Sequence, residues 1–230
     1  MLCKIADLIT SVPASGDLSS RCRGYLVDGQ EIEAEIVIDE AKYRLERYPN
    51  ASKEIAIYLE SGAQFYVRLL DYDGIMLHAS ATVIDGETYL FAGQCCIGKS
   101  THARLLKELR PDALFLNDDK PALRCIDGTW FAYGTPWCGK DGINTNARFP
   151  VKAVCLLTTR RDRNDVRLAD PFTAAAKLIS CAVGRGSKAN FQKLAPLLDR
   201  FMRDIPIYEM DSLADRAAAE MAFGAMKNGL

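Results

Sequence analysis

The chain has 230 residues, enough for one substantial hydrophobic core or for a catalytic unit with a small appended layer. Apolar residues make up 49% and charged residues 26%, ordinary for a folded protein, and a formal net charge of −1 gives no electrostatic reason to expect nucleic acid as a partner. No apolar run approaches the roughly 20 residues that span a bilayer, and the opening Met1–Asp7 segment lacks a signal-peptide stretch, so a cytoplasmic protein without membrane attachment is expected.

In chain order, residues 1–72 read as a small β-rich layer and 73–230 as a catalytic core, together one compact unit. Glu31 to Ile38 alternates acidic and apolar residues, the period of a half-buried strand, and Ile55, Ile57 and Leu59 repeat it. Ala63 to Asp71 reads as a short helix ended by the Asp71-Tyr72-Asp73-Gly74 turn. Ile75–Ile84 and Thr88–Ala92 are strands joined at Asp85-Gly86, a hairpin signal. Gly93 to Ser100 follows, then a helix from Thr101 to Leu109 stopped by Pro111. Ala113–Leu116 is a short buried strand, Leu123–Ile126 and Trp130–Tyr133 form a second hairpin around Asp127-Gly128, and Val151–Leu157 is another core strand. Helices over Phe172–Val183 and Phe191–Met202, a strand at Ile205–Met210 and a closing helix at Leu213–Met226 complete an α/β fold with considerable antiparallel pairing.

The eight cysteines contain no C-x-x-C pair and the two histidines, His78 and His102, complete no zinc spacing, so small core residues and exposed thiols are expected rather than a metal site. Trp137 to Gly142 reads as a surface loop, with a substrate loop as the alternative. Arg160–Arg163 reads as a solvated turn, with an adenine or phosphate lid as the alternative, Arg185–Lys188 equally as a segment closing over an anion or a helix connection, and His102 as structural.

The chemistry concentrates at Gly93-Gln94-Cys95-Cys96-Ile97-Gly98-Lys99-Ser100, with Thr101 next, which is G-x-x-x-x-G-K-[ST] between a strand and a helix. A polyphosphate needs successive backbone N–H groups and a helix N-terminus unobstructed by bulky side chains. Lys99 would oppose the β- and γ-phosphates and Ser100 would offer its hydroxyl to Mg²⁺. Chance produces the pattern in roughly one chain of this length in a hundred. Cys96 stands where many such loops carry a third glycine, which predicts altered affinity rather than lost binding. After the next strand come Asp118 and Asp119, placed to hold Mg²⁺ with Ser100 and to accept a proton from an attacking hydroxyl.

His78 ahead of the loop, Gly93–Ser100, and Asp118-Asp119 together resemble the catalytic core of HPr kinase/phosphorylase, over roughly residues 75–160. That core is related in fold to ATP-dependent phosphoenolpyruvate carboxykinase. The resemblance implies a P-loop (Walker A) in a mixed, largely antiparallel sheet of that type. It also implies ATP and Mg²⁺ as cofactors, metal coordination and the proton acceptor at Asp118 and Asp119, and His78 near the transferred phosphate. Asn144 to Pro150 resembles a carboxykinase segment in which an arginine meets the γ-phosphate, making Arg148 a catalytic candidate. The long signature that follows the acidic pair in HPr kinases has no counterpart; Trp137–Gly142 stands there instead. The expectation is therefore an HPr-kinase-like phosphotransferase acting on a hydroxyl of a small molecule or peptide, compatible with a homo-oligomer. A carboxykinase-like enzyme and a non-catalytic nucleotide sensor are the alternatives.

Overall fold

The computed structural model describes residues 1–36, 50–158, 162–183 and 186–230. β1 (Leu2–Ile5) and β2 (Leu8–Ser11) pair antiparallel across Ala6-Asp7, both at positive φ, and β3 (Ala34–Glu35) adds to β2 in parallel. The strand expected over Glu31–Ile38 is reduced to β3; Val37 and Ile38 lie outside the described residues. α1 (Gly16–Arg21) follows β2.

Ile55, Ile57 and Leu59, expected in a strand, belong to the 17-residue α2 (Lys53–Leu69), whose first turn is capped by the Ser52 hydroxyl accepting from the Ile55 N–H at 3.3 Å. The buried positions Ile57, Ser61, Phe65 and Leu69 recur every fourth residue, while Ile55 stays 52% exposed. Helical spacing through the aromatic half overrides the short period-2 run. The helix expected to begin at Ala63 is this helix's second half.

The remaining strands form one sheet: β4 (Gly74–Met76), β5 (Ala79–Ile84), β6 (Glu87–Ala92), β7 (Leu114–Asn117), β8 (Ala122–Ile126), β9 (Thr129–Tyr133), β10 (Arg148–Leu157), β11 (Asp165–Leu168) and β12 (Ile207–Asp211). Their order is β4-β8-β9-β10-β6-β5-β7, with β12 paired to β10 and β11 outside it. Within this sheet, among the described residues, only the β10–β6 and β10–β12 pairings are parallel, so it is mixed and largely antiparallel. Asp85-Gly86 and Asp127-Gly128 make the two expected hairpin turns, all four residues at positive φ as type I′ turns require.

Two departures shape the site. The run expected as one strand from Ile75 to Ile84 breaks at Leu77-His78, because β4 pairs with β8 while β5 pairs with β6 and β7. β10 divides its partners likewise: Arg148–Pro150 run against β9, and Val154–Leu157 run beside β12. β11, in a stretch to which the sequence pattern assigns no element, is an added edge strand of mixed charged and apolar residues.

Helices cover both faces. On β6 and β10, Leu90, Ala92, Val154 and Leu156 face a core shared with α4 (Pro171–Cys181) and α5 (Lys188–Asp204). Tyr89, Phe91, Cys155 and Leu157 face one shared with α3 (Lys99–Leu109) and α6 (Arg216–Asn228). This period-2 alternation between two apolar cores is why both strands read as near-continuous apolar runs. A third cluster joins Ile5, Leu8, Tyr25, Ile57, Phe65 and Leu69 to Met76, Ala122, Tyr133 and Trp137.

Candidate functional site

The interior strand β6, between β10 and β5, ends at Ala92 and the chain turns through Gly93–Gly98 into α3. Gly93 and Gly98 have φ of 153° and 112°, and Cys96, at the position noted for a missing glycine, takes φ of 61°. Lys99 opens the helix with its side chain buried and folded back on the loop, Nζ donating to the Gly93 carbonyl at 3.2 Å and the Gln94 carbonyl at 2.9 Å. Burial lowers its pKa, with Asp119 pulling the other way. His102 anchors the helix: Nδ1 lies 2.9 Å from the Gly98 carbonyl and Nε2 2.7 Å from the Ser212 hydroxyl.

The acidic pair sits at the end of β7. The Asn117 carboxamide oxygen accepts from the N–H groups of Asp119 (2.9 Å) and Lys120 (2.7 Å), an Asx turn that directs the two carboxylates differently. Asp118 is buried and accepts from the Gly139 N–H; burial raises its pKa, that hydrogen bond lowers it, and Asp119 raises it further. A Cβ on Gly139 would lie 2.9 Å from Asp118 Oδ2, so glycine is required for this approach. Asp119 Oδ1 lies 2.6 Å from His78 Nε2, and Oδ2 pairs with Lys120. Burial pushes the Asp119 pKa upward, but the hydrogen bonds and charges of His78 and Lys120 outweigh it and hold the carboxyl well below the usual range.

His78 is at the strand break, and its backbone ties three walls together. Its N–H donates to the Cys181 carbonyl at 2.9 Å, its carbonyl accepts from the Gly93 N–H at 3.4 Å, and the next N–H, of Ala79, donates to the Asp119 carbonyl at 3.0 Å.

These elements open onto one cleft of about 790 Å³, lined by His78, Cys95, Cys96, Gly98, Lys99, Ser100, Thr101, Asp118 and Asp119 among others. Gly93, Gln94 and Ile97 line a smaller hollow of about 160 Å³ behind the loop. Arg148 borders neither: at the far end of β10 from Leu157, it pairs with Asp7, donates to the Tyr133 hydroxyl at 3.3 Å and stacks over Phe131.

Several cleft residues were not singled out from sequence. Arg104, four residues after Ser100 on the same helix face, pairs with Asp141 across the opening; the i, i+4 spacing was a usable signal. Lys120 also lines it, as do Gly139 and Lys140, from the segment for which a substrate loop is the alternative. Trp137–Gly142, read as a surface loop, instead begins in the core: Trp137 is fully buried and Cys138 nearly so, and only then does the segment reach the cleft. Six of the eight cysteines are buried; Cys95 and Cys96 are exposed thiols.

Among the donors that line the cleft, the Ser100 hydroxyl and the Asp118 and Asp119 carboxylates suit Mg²⁺, which usually takes one or two carboxylates and completes its shell with water and phosphate. Among the described residues no three His, Cys, Asp or Glu side chains converge as a cage for a metal. No helix of the described residues is long and apolar enough to cross a membrane.

No family model matches the sequence, and no curated protein matches it significantly. Among solved structures, the HPr(Ser) kinase/phosphatase from Coxiella burnetii is similar at 20% identity and a TM-score of 0.29, over 42% of this chain and 66% of that one. The likeness is partial and distant, and the chemistry of the site rests on its own residues.

Proposed function

We propose that the protein binds a nucleoside triphosphate with Mg²⁺ at Gly93–Thr101 and transfers its terminal phosphoryl group to a hydroxyl. The observation that carries the reading is that a G-x-x-x-x-G-K-S loop entering a helix opens on the same cleft as Asp118, Asp119 and His78. The cleft's volume is in the range of small-molecule sites and leaves space for two ligands.

Each residue's surroundings suit a role. The loop N–H groups and the N-terminus of α3 solvate phosphate. Lys99, lying along the loop carbonyls, is within its own loop's reach of the same anion. Mg²⁺, held by Ser100 and Asp118, would neutralise phosphate oxygens, and its charge would oppose the burial that raises the Asp118 pKa. Asp119, kept ionised and oriented by His78, accepts the acceptor's proton as its O–H bond gives way to O–P and the β–γ bridge P–O bond breaks. Arg104, Lys120 and Lys140 line the cleft and could serve the transferring group in place of Arg148. Arg148, the catalytic candidate drawn from the carboxykinase-like segment, is paired with Asp7 and does not line the cleft, which favours the kinase reading over the carboxykinase-like alternative.

The test is calorimetry of ATP with Mg²⁺ on the wild type and Lys99→Ala, followed by ATP consumption in the presence of a cell metabolite extract. Binding lost in the variant, with extract-dependent consumption, is the expected result. Tight binding without consumption would leave a nucleotide sensor, and absence of binding would overturn the reading.

A further inference from the structure

Beside the acid end of the cleft lies a second hollow of about 180 Å³, walled by Tyr58, Ala63 and Tyr66 of α2 together with Met76, Lys120 and Trp137. We infer that this recess takes a ring-sized apolar group of the phosphoryl acceptor, carried next to the hydroxyl presented to Asp119; the inference rests on the phosphotransferase reading above.

The recess is apolar by construction, although three of its walls are amphipathic. The Tyr58 hydroxyl donates to the Cys138 carbonyl at 2.5 Å, the Tyr66 hydroxyl to the Lys120 carbonyl at 2.6 Å, and Trp137 Nε1 to the Ser61 hydroxyl at 2.9 Å. With every polar tip spent on the protein, the hollow meets ring and aliphatic surface. Its shape is fixed. Phe65 stacks on Trp137 at 4.8 Å between centroids, and Tyr66 meets the same indole edge-on at 5.7 Å. Gly62 lets the indole approach the helix, since a Cβ there would lie 2.8 Å from Trp137 Cδ1. An apolar cavity of about 150 Å³ is enough for a benzene-sized guest.

Position identifies the occupant. The recess and the main cleft share Met76, Lys120 and Val183, and the recess shares no residue with Gly93–Thr101. A group bound there enters from the side of the proton acceptor, not from the phosphates; the hollow on the phosphate side is the one behind the loop. The wall and the acid turn are also one unit, because the Tyr66 hydroxyl holds the carbonyl of Lys120, the residue after Asp119. A filled recess therefore fixes an acceptor at a set distance from the Asp119 carboxylate, the positioning on which transfer depends.

The probe is 4-fluorophenol, followed by fluorine NMR on the full chain with and without Mg²⁺ and a non-hydrolysable ATP analogue. Calorimetry of the analogue runs on the same samples. The wild type is expected to bind the phenol saturably whether or not nucleotide is present. Ala63→Leu, which fills the recess, should weaken that binding about tenfold or more, the scale of a methylene mismatch in an apolar pocket. Its nucleotide affinity should be unchanged, which also reports that it folds, and its extract-dependent turnover should fall. Competitive displacement of the phenol by nucleotide would overturn the inference in favour of a base pocket. Absence of saturable binding, or equal binding by Ala63→Leu, would overturn it outright. Phenol binding with no nucleotide binding would instead remove the phosphotransferase reading, and the acceptor role with it, while leaving a ring site.

Discussion

Asp118 and Asp119 share one turn, yet their surroundings drive them in opposite directions, and this separation is measurable without any ligand. For Asp119, burial acts to raise the pKa, and the hydrogen bonds and charges of His78 and Lys120 bring it below the unfolded value. A depressed folded value means that its stabilisation is complete above about pH 4 and is lost as pH falls toward the folded value. Asp119→Asn should therefore lower the melting temperature at pH 7, by about 2–4 °C for each kcal/mol lost, and the difference from wild type should shrink as the pH is taken from 7 to 2. Asp118, raised chiefly by burial, has the other sign: its ionised form disfavours the folded state above its unfolded pKa. Asp118→Asn should leave the ligand-free protein as stable or more so at pH 7, while abolishing Mg²⁺-dependent nucleotide binding. Scanning calorimetry across pH checks both; the same sign for the two variants would refute the division of roles. Arg148→Ala makes a contrasting prediction. Its partners are Asp7, Tyr133 and Phe131, so calorimetry should find nucleotide affinity within about twofold of wild type, well under 1 kcal/mol.

At the scale of elements, the legible parts were those whose local chemistry decides their conformation. Asp85-Gly86 and Asp127-Gly128 announce turns that need positive φ, and β6 and β10 announce themselves as strands buried on both faces. The misread parts depend on partners distant in sequence. α2 carries a buried Glu60 and an exposed Ile55, which inverts the polarity rule over its first two turns. The break at Leu77-His78 is invisible along the chain, because the His78 backbone groups are satisfied by Cys181 and Gly93. The loop and acid pair were readable as chemistry, but Gly139 was not, since its only signal is space against Asp118. The acid turn supplies a prediction at this scale. Asn117 is fully buried, and its carboxamide oxygen receives two backbone N–H groups while its nitrogen donates to the Thr135 carbonyl at 3.0 Å. Asn117→Ala should cost about 1–3 kcal/mol for the N–H groups left unpaired. It should also weaken nucleotide binding, because both carboxylates lose their aim, whereas Asn117→Asp, keeping the acceptor, should retain part of the turn.

For the whole molecule, the first 72 residues form part of what holds the site together. Arg21 donates to the carbonyls of Cys138 (3.2 Å) and Gly139 (3.0 Å), and the Tyr58 hydroxyl holds the Cys138 carbonyl from α2. Through Gly139 these contacts reach Asp118. Beneath them, Ile57, Phe65, Tyr66 and Leu69 pack with Met76, Ala122, Tyr133 and Trp137 in one buried cluster. Cutting the chain at the boundary expected from sequence would expose that half-cluster. Three such side chains, at about 1.5–3 kcal/mol each, already rival the about 5–15 kcal/mol by which an ordinary domain is stable. A fragment of residues 73–230 should therefore not fold alone: circular dichroism should show no cooperative thermal transition, and a hydrophobic dye should bind it where it ignores the full chain. Adding residues 1–72 as a separate polypeptide should restore both the transition and nucleotide binding, because the lost interactions are packing and hydrogen bonds that need no covalent link. A fragment that melts cooperatively and binds nucleotide by itself would mean that the layer is an accessory, and that Asp118 is aimed by the sheet without help from Arg21 or Tyr58.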